Sequence, residues 1–173
     1  MKLKPLFTPD IIQSRVTDLG ARISRDFKDR PVVAVCVLKG AVVFYADLIR
    51  SLSIEPEMDF VRISSYGDQT ISNGNVVFSK DLEISVKDKH VLIVEDIIDT
   101  GRSIVCLKKV LQDKNPESIH LCALIDKRER REVPVKVDYA GFVLQHGFIV
   151  GYGLDYAEKH RNLTGIFELI LEK

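Results

Sequence analysis

Apolar positions along this chain fall into two rhythms. Unbroken runs at Val32 to Leu38 and Val91 to Val94 are short and rich in β-branched residues, and Ile119 to Ile125 is a further apolar stretch. Such runs predict strands buried on both faces, as in a parallel sheet covered by helices. Between them the apolar residues recur at helical spacing. Thr8-Pro9-Asp10 offers an N-cap, a proline at the first helical position and an early acid, after which Ile12, Val16, Leu19, Ile23 and Phe27 share one face. A second helix is expected from about Ala41 to Leu52, with Phe44, Leu48 and Leu52 along its stripe, and a third carries Ile104, Leu107, Val110 and Leu111. Strand and helix alternating in this way predict an α/β fold with a mainly parallel sheet.

The rest of the pattern is less regular. Met58 to Ser65 alternates, with Val61 and Ile63 on one face and Phe60 and Arg62 on the other. Ser64 to Asn75 is polar and glycine-containing, and a loop of that length in a compact domain is usually functional or mobile. Asn73-Gly74 also suits the turn of a hairpin leading into Val76-Val77-Phe78. Short strands are expected at Tyr139 to Leu144, Phe148 to Val150 and Ile166 to Leu171, with the first two flanking Gln145-His146-Gly147. The charge run Arg128 to Glu132 reads as a solvated face.

Composition narrows the class. A chain of 173 residues suffices for one domain with a full core, so residues 1–173 are expected to form one unit. With 25 basic and 25 acidic side chains the formal charge is zero, and no global field attracts nucleic acid. Cys36, Cys106 and Cys122 sit among apolar residues without metal-type spacing, which predicts reduced core thiols in a cytoplasmic protein. The opening Met1 to Pro9 lacks a continuous apolar segment and no stretch has the length of a membrane span, so a soluble, unprocessed protein is expected.

The chemistry concentrates in Val91 to Ser103. Directly after the apolar run come Glu95, Asp96 and Asp99, three carboxylates within five positions. Like charges crowded at a strand end repel, and hydroxyls, a cation or solvent must receive them. Thr100-Gly101-Arg102-Ser103 then leads into the third helix, where a small-residue turn aims free backbone N–H groups at a guest such as phosphate. Helix capping accounts for one of these carboxylates, not for three beside a glycine turn. Two other candidates share the carboxyl edge of a parallel sheet, where ligands of α/β proteins gather: Lys39-Gly40 after the first strand and Lys127 after Ile119 to Ile125.

The string Glu95-Asp96-Ile97-Ile98-Asp99-Thr100-Gly101 resembles the phosphoribosyl pyrophosphate motif of the type I phosphoribosyltransferases, most closely in their hypoxanthine-guanine branch. The similarity extends over nearly the whole chain, with several motifs in order. It implies a central, mainly parallel sheet flanked by helices, with a small hood over the base site formed by the terminal segments. It implies transfer of the 5-phosphoribosyl group from phosphoribosyl pyrophosphate to N9 of hypoxanthine or guanine, giving IMP or GMP and pyrophosphate. The cofactor implied is Mg²⁺, with Glu95, Asp96 and Asp155 as its acids, and the assembly implied is a homodimer or homotetramer.

Residue by residue, Leu38, Lys39 and Gly40 match the pyrophosphate loop, whose leucine-lysine bond is characteristically non-prolyl cis or strained. Glu95 and Asp96 match the ribose-binding acids, and Asp99 the acid or base at purine N7. Ile98, Thr100, Gly101, Arg102 and Ser103 match the phosphoribosyl pyrophosphate site, with the last four cradling its 5′-phosphate. Lys127 matches the lysine at the purine 6-oxo group, Phe148 the stacking aromatic, Ile149 and Asp155 further base contacts, and Arg161 a pyrophosphate contact. Ser64, Ser65, Tyr66 and Gly67 match the flexible catalytic loop. One departure stands out: the family commonly has proline-aspartate-lysine where this chain has Gln145, His146 and Gly147.

Two neighbouring readings compete. One is xanthine-guanine transfer. The other is an RNA-binding regulator on the same fold, for which Lys108, Lys109 and Lys114, expected on one helix, are the only hint. A nucleotide-binding domain without transfer activity is disfavoured because Asp99 and Lys127 are both kept.

Overall fold

The computed structural model describes residues 1–65 and 76–170. In chain order the elements are β1 (Lys2–Phe7), α1 (Pro9–Asp26), β2 (Val32–Leu38), α2 (Val42–Ser51), β3 (Glu57–Ser65), β4 (Val76–Lys80), β5 (His90–Ile98), α3 (Arg102–Gln112), β6 (Ser118–Lys127), β7 (Tyr139–Leu144), β8 (Ile149–Val150) and β9 (Ile166–Ile170). Six strands form one sheet in the order β4-β3-β2-β5-β6-β7. All neighbours in it are parallel except β4, which pairs antiparallel with β3.

The apolar rhythm explains the layers. Along β2, Ala34 and Cys36 enter a core on one face with Ile12 and Val16 of α1 and Phe44 and Leu48 of α2. Val33 and Val35 enter the core on the other face, with Ile104, Leu107 and Leu111 of α3. With helices on both faces, every residue from Val32 to Val37 is buried, so the strand is apolar without alternation. Thr8 caps α1 as its spacing predicts, its Oγ1 accepting from the Ile11 N–H at 3.5 Å.

Two departures from the sequence reading matter. β5 does not end with the apolar run at Val94: it continues to Ile98, with Glu95 opposite Ala123 and Ile98 opposite Asp126. The cause is β6, which reaches Lys127 and supplies backbone partners beyond the apolar residues, so two of the three acids stand inside a strand end. The charged, proline-containing Lys2–Phe7 showed no strand pattern, yet it pairs antiparallel with β9, which in turn pairs with β8. Pro5 is tolerated there because β1 is the edge of this three-stranded sheet. Phe7 stacks on Phe142 of β7 at 4.0 Å between ring centroids and fixes the small sheet to the large one.

The strand order reverses between β2 and β5. From β2 the chain moves outward to β3, and from β5 it moves the other way to β6. Loops leaving the carboxyl ends of two such strands diverge and open a crevice. Here those loops are the ones that follow Leu38 and Ile98.

Candidate active site

A cavity of about 310 Å³ occupies that crevice, bounded by Leu38 at the end of β2 and Gly40 after it, by the run from Glu95 to Gly101 with Ser103 and Ile104, and by Asp155 and Arg161 beyond β8. The Leu38–Lys39 peptide is cis. At Gly40 a Cβ would overlap Oδ2 of Asp96 and lie 2.7 Å from its Cγ, so only glycine lets this loop approach β5 so closely. From the other side Gly153, at φ +98°, presses on the Gly40 carbonyl, where any side chain at position 153 would collide. The Lys39 side chain turns away from the cavity, its Nζ 2.8 Å from Oε2 of Glu158.

Glu95 and Asp96 form a strained pair of charges. Burial, reinforced by the neighbouring Asp96 carboxylate, pushes the Glu95 carboxyl well above its ordinary range. Burial also raises Asp96, against the hydrogen bonds it accepts, among them one from the Ile97 N–H at 2.8 Å. Reading these residues as solvated loop acids is therefore excluded: Asp96 is 9% exposed and Glu95 half-buried.

Asp99 lies at the end of β5 and Lys127 at the end of β6, on adjacent strands. Lys127 is 7% exposed, and its Nζ stands 3.9 Å from Oδ1 of Asp99 and 3.4 Å from Glu129. Arg130 approaches the other oxygen of Asp99 at 3.5 Å. Among the described residues, Oδ1 of Asp99 is a buried oxygen without a hydrogen-bond partner. A cation and a carboxylate thus face one another beside the cavity, with spare donor and acceptor capacity.

At the start of α3, Gly101 takes the left-handed conformation at φ +86° and provides no side-chain cap; the Arg102 N–H donates to Oγ1 of Thr100 at 3.4 Å, and the Ser103 and Ile104 N–H groups are left for an anion. The Arg102 side chain does not join them, since it pairs with Glu132 outside the cavity. Also lining the cavity, Arg161 holds Asp155 at 2.7 Å and donates to the Gly153 carbonyl at 2.8 Å. Its Nε is buried and, among the described residues, without a partner.

Not every residue expected at the site meets there. Glu95, Asp96 and Asp155 all line the cavity, but Asp155 is committed to Arg161 and to the Glu158 N–H. Among the described residues no cluster of three or more metal-ligating side chains converges. Ile149 opens β8 of the small sheet and is buried, whereas Phe148, expected in that strand, directly precedes it and is exposed, edge-on to Tyr156 at 5.4 Å. Ser64 and Ser65 end β3, and Tyr66, Gly67 and the Asn73-Gly74 turn lie outside the described residues, as does Leu171.

The charge run yields a correction. Arg131, expected on a solvated face, is only 18% exposed and buries its guanidinium beneath the β5 and β6 ends. Its acceptors come from two strands, which no local pattern shows. Glu158 and Gly153 are likewise absent from the expected site residues, since their partners Lys39 and Gly40 are far away in the chain.

The remaining candidates take structural places. Cys36 and Cys122 are buried, and burial pushes the Cys36 thiol up to about 12; Cys106 is partly exposed on α3, so it is no core thiol. The three lysines do not make one basic face. Lys108 reaches the Lys136 carbonyl at 3.4 Å, and Lys114 lies beyond the helix end, paired with Asp81 at 2.8 Å.

Comparison with known proteins adds the family. A family model described as the phosphoribosyl transferase domain matches residues 8–157. The chain is 43% identical over 163 residues to the hypoxanthine-guanine phosphoribosyltransferase of Bacillus subtilis, covering 94% of this chain and 91% of that one. It is 40% identical over 171 residues to the hypoxanthine phosphoribosyltransferase of Haemophilus influenzae, covering 97% and 96%. A crystal structure of a hypoxanthine-guanine phosphoribosyltransferase from Bacillus anthracis superposes with a TM-score of 0.92 at 41% identity, covering 98% of this chain and all of that one.

Proposed function

The chain belongs to the phosphoribosyltransferase family, in its hypoxanthine-guanine branch, and on that premise we propose that it salvages oxopurines by transferring the 5-phosphoribosyl group of phosphoribosyl pyrophosphate to N9 of hypoxanthine or guanine. The products are IMP or GMP and pyrophosphate. The observation that carries this reading is the meeting of Asp99 and Lys127 on adjacent strand ends, beside a cavity walled by the Gly40 loop and the start of α3.

In this reading the first turn of α3, with Thr100 and Ser103, receives the 5′-phosphate. Glu95 and Asp96 accept from the ribose hydroxyls, whose hydrogen bonds favour the ionised acids that burial opposes. The Lys39 and Gly40 backbone takes the pyrophosphate, with Arg161 as its cation. Lys127 donates to the purine 6-oxo group and Asp99 manages the proton at N7, work for which a positioned carboxylate contributes about 10²-fold or more. Phe148, exposed just before β8, stacks on the base, and the small sheet is the hood above it.

A divalent cation fits the donor set: Glu95 and Asp96 are crowded, partly buried acids whose repulsion a cation would relieve. Mg²⁺ would be held by these two acids together with ligand oxygens and waters, with Asp155 nearby, and would neutralise the departing pyrophosphate. No described helix is long and apolar enough to cross a membrane, and we assign the protein to the cytoplasm, where its free thiols stay reduced. We assign it a homodimeric or homotetrameric state, testable by light scattering. The test of the whole reading is one assay with hypoxanthine, guanine, xanthine and adenine. Turnover of the first two, weaker use of xanthine and near inertness of adenine are expected. Adenine turnover comparable to that of hypoxanthine would overturn it.

A further inference from the structure

We infer that Arg131 is a positioning residue that sets Asp99 and Lys127 relative to each other, and through them the choice of base. The inference deepens the proposed transfer to oxopurines and rests on it. Lys127 and Asp99 belong to different strands, and the Asp99 loop leaves β5 just where strand pairing stops. Something must fix its distance from the Lys127 backbone, and one planar guanidinium reaches both.

Arg131 Nε donates to the Asp99 carbonyl at 2.9 Å. Its Nη2 donates to the Ile98 carbonyl at 3.1 Å and to the Lys127 carbonyl at 3.0 Å. The same nitrogen pairs with Oδ1 of Asp126 at 2.6 Å, and Asp126, 5% exposed, is further held by Arg128 at 3.3 Å. The backbone following Arg131 continues the support, with the Glu132 N–H donating to the Thr100 carbonyl at 3.0 Å. Val133 and Val135 occupy the space that a side chain at Gly101 would need. The segment from Arg131 to Val135 is therefore the floor under the loop that carries Asp99 and the phosphate turn.

The geometry requires arginine. Its guanidinium presents donors in a rigid fork, so bonds to the Asp99 and Lys127 carbonyls hold two loops in one plane. A lysine at this place supplies one ammonium on a flexible stem and keeps the charge opposite Asp126 without spanning both carbonyls. Arg131 does not itself line the cavity and meets its lining from behind, through the Ile98 and Asp99 carbonyls, so its effect must pass through Asp99 and Lys127. A misplacement of about 1 Å at a reacting geometry costs on the order of 10²-fold in rate.

Arg131→Lys and Asp126→Asn test this, each assayed for hypoxanthine and adenine transfer, for phosphoribosyl pyrophosphate affinity by titration, and for thermal unfolding. For Arg131→Lys, kcat/KM with hypoxanthine should fall by about 10- to 100-fold while phosphoribosyl pyrophosphate affinity changes by less than about threefold. The hypoxanthine-to-adenine ratio should fall with it, and Asp126→Asn should show the same pattern to a smaller extent. In a Lys127→Ala background the same Arg131→Lys change should no longer alter the base ratio, because residues that act through one another are not additive. A lowered Tm with unchanged kcat/KM and base ratio would reduce Arg131 to a structural tie and overturn the inference. An equal effect on the ratio with and without Lys127 would also overturn it. Failure of the wild-type protein to use any oxopurine would instead overturn the proposed function, so the two failures are distinct.

Discussion

The pyrophosphate loop gives the sharpest contrast between two neighbouring residues. Gly40→Ala places a Cβ into Oδ2 of Asp96, 2.7 Å from its Cγ and 3.2 Å from its Oδ1. Asp96 cannot yield freely, because it is 9% exposed and its Oδ1 accepts from the Ile97 N–H at 2.8 Å. The loop cannot withdraw either, since its carbonyl already lies against Gly153. Replacing glycine stiffens the unfolded chain and returns about 0.4–1 kcal/mol, whereas an extra methyl group in a packed site costs about 1–3 kcal/mol. The steric term wins. A protein of this size should lose roughly 2–4 °C in Tm per kcal/mol, and if the displacement falls on the pyrophosphate loop, affinity for phosphoribosyl pyrophosphate should fall by about 5- to 50-fold. Lys39→Ala is the control. Its ammonium is about half exposed and bound to Glu158, which is more exposed still, so kcat/KM should stay within about threefold of wild type. Initial rates at varied phosphoribosyl pyrophosphate, with thermal unfolding of the same samples, measure both. If Lys39→Ala loses tenfold while Gly40→Ala keeps wild-type kinetics, the ammonium and not the loop backbone holds the pyrophosphate.

Three further substitutions probe the other parts of the site. Asp99→Asn should lower kcat by about 10²-fold or more with phosphoribosyl pyrophosphate affinity within about threefold; unchanged kcat with weakened binding would move Asp99 to the sugar. Burial and Asp96 raise the Glu95 carboxyl above its ordinary 4.5, so the native state holds that proton more tightly and ionisation above pH 4.5 destabilises the fold. Glu95→Gln should therefore raise the Tm of ligand-free protein at pH 7, with the gain shrinking as pH falls toward 4.5, while affinity for phosphoribosyl pyrophosphate drops; a Tm difference independent of pH would contradict this. A lysine ammonium has donors only and meets the 6-amino group of adenine donor to donor, a mismatch able to discriminate by about 10⁴-fold. Lys127→Ala should erode that preference, and an alanine variant with undiminished preference would remove Lys127 from base selection.

What the sequence disclosed follows how local each cause is. The strands at Val32 and Val91 and the three helices announce themselves because apolar periodicity is imposed by the layer each element packs against. The acids, the glycine turn and Lys127 could be read because each abuts an apolar run whose end fixes its place on the sheet edge. The strand at Lys2–Phe7 could not, because its partner is β9 at the opposite end of the chain. The extension of β5 to Ile98 was hidden for the same reason: backbone pairing with β6 overrides the polarity of Glu95 and Asp96. Arg131 was missed because a residue within a charge run is solvated unless distant carbonyls converge on it, and these come from Ile98, Asp99 and Lys127.

The site also breaks, within a few residues, rules that the rest of the fold obeys. Two acids that repel are packed into a strand end, and a backbone loop is pressed against one of them so tightly that only glycine fits. Among the described residues, the two buried polar side-chain atoms left without a hydrogen bond are Oδ1 of Asp99 and Nε of Arg161. Unpaired buried groups are uncommon in native proteins, and each calls for a cause. Here both belong to residues lining one cavity, one an acceptor and the other a donor. A core selected for stability alone would have paired or removed them. Their cost is intelligible if the missing partners arrive together on a ligand that offers a proton to Asp99 and an anionic oxygen to Arg161, as a purine and a pyrophosphate group do when both occupy the site.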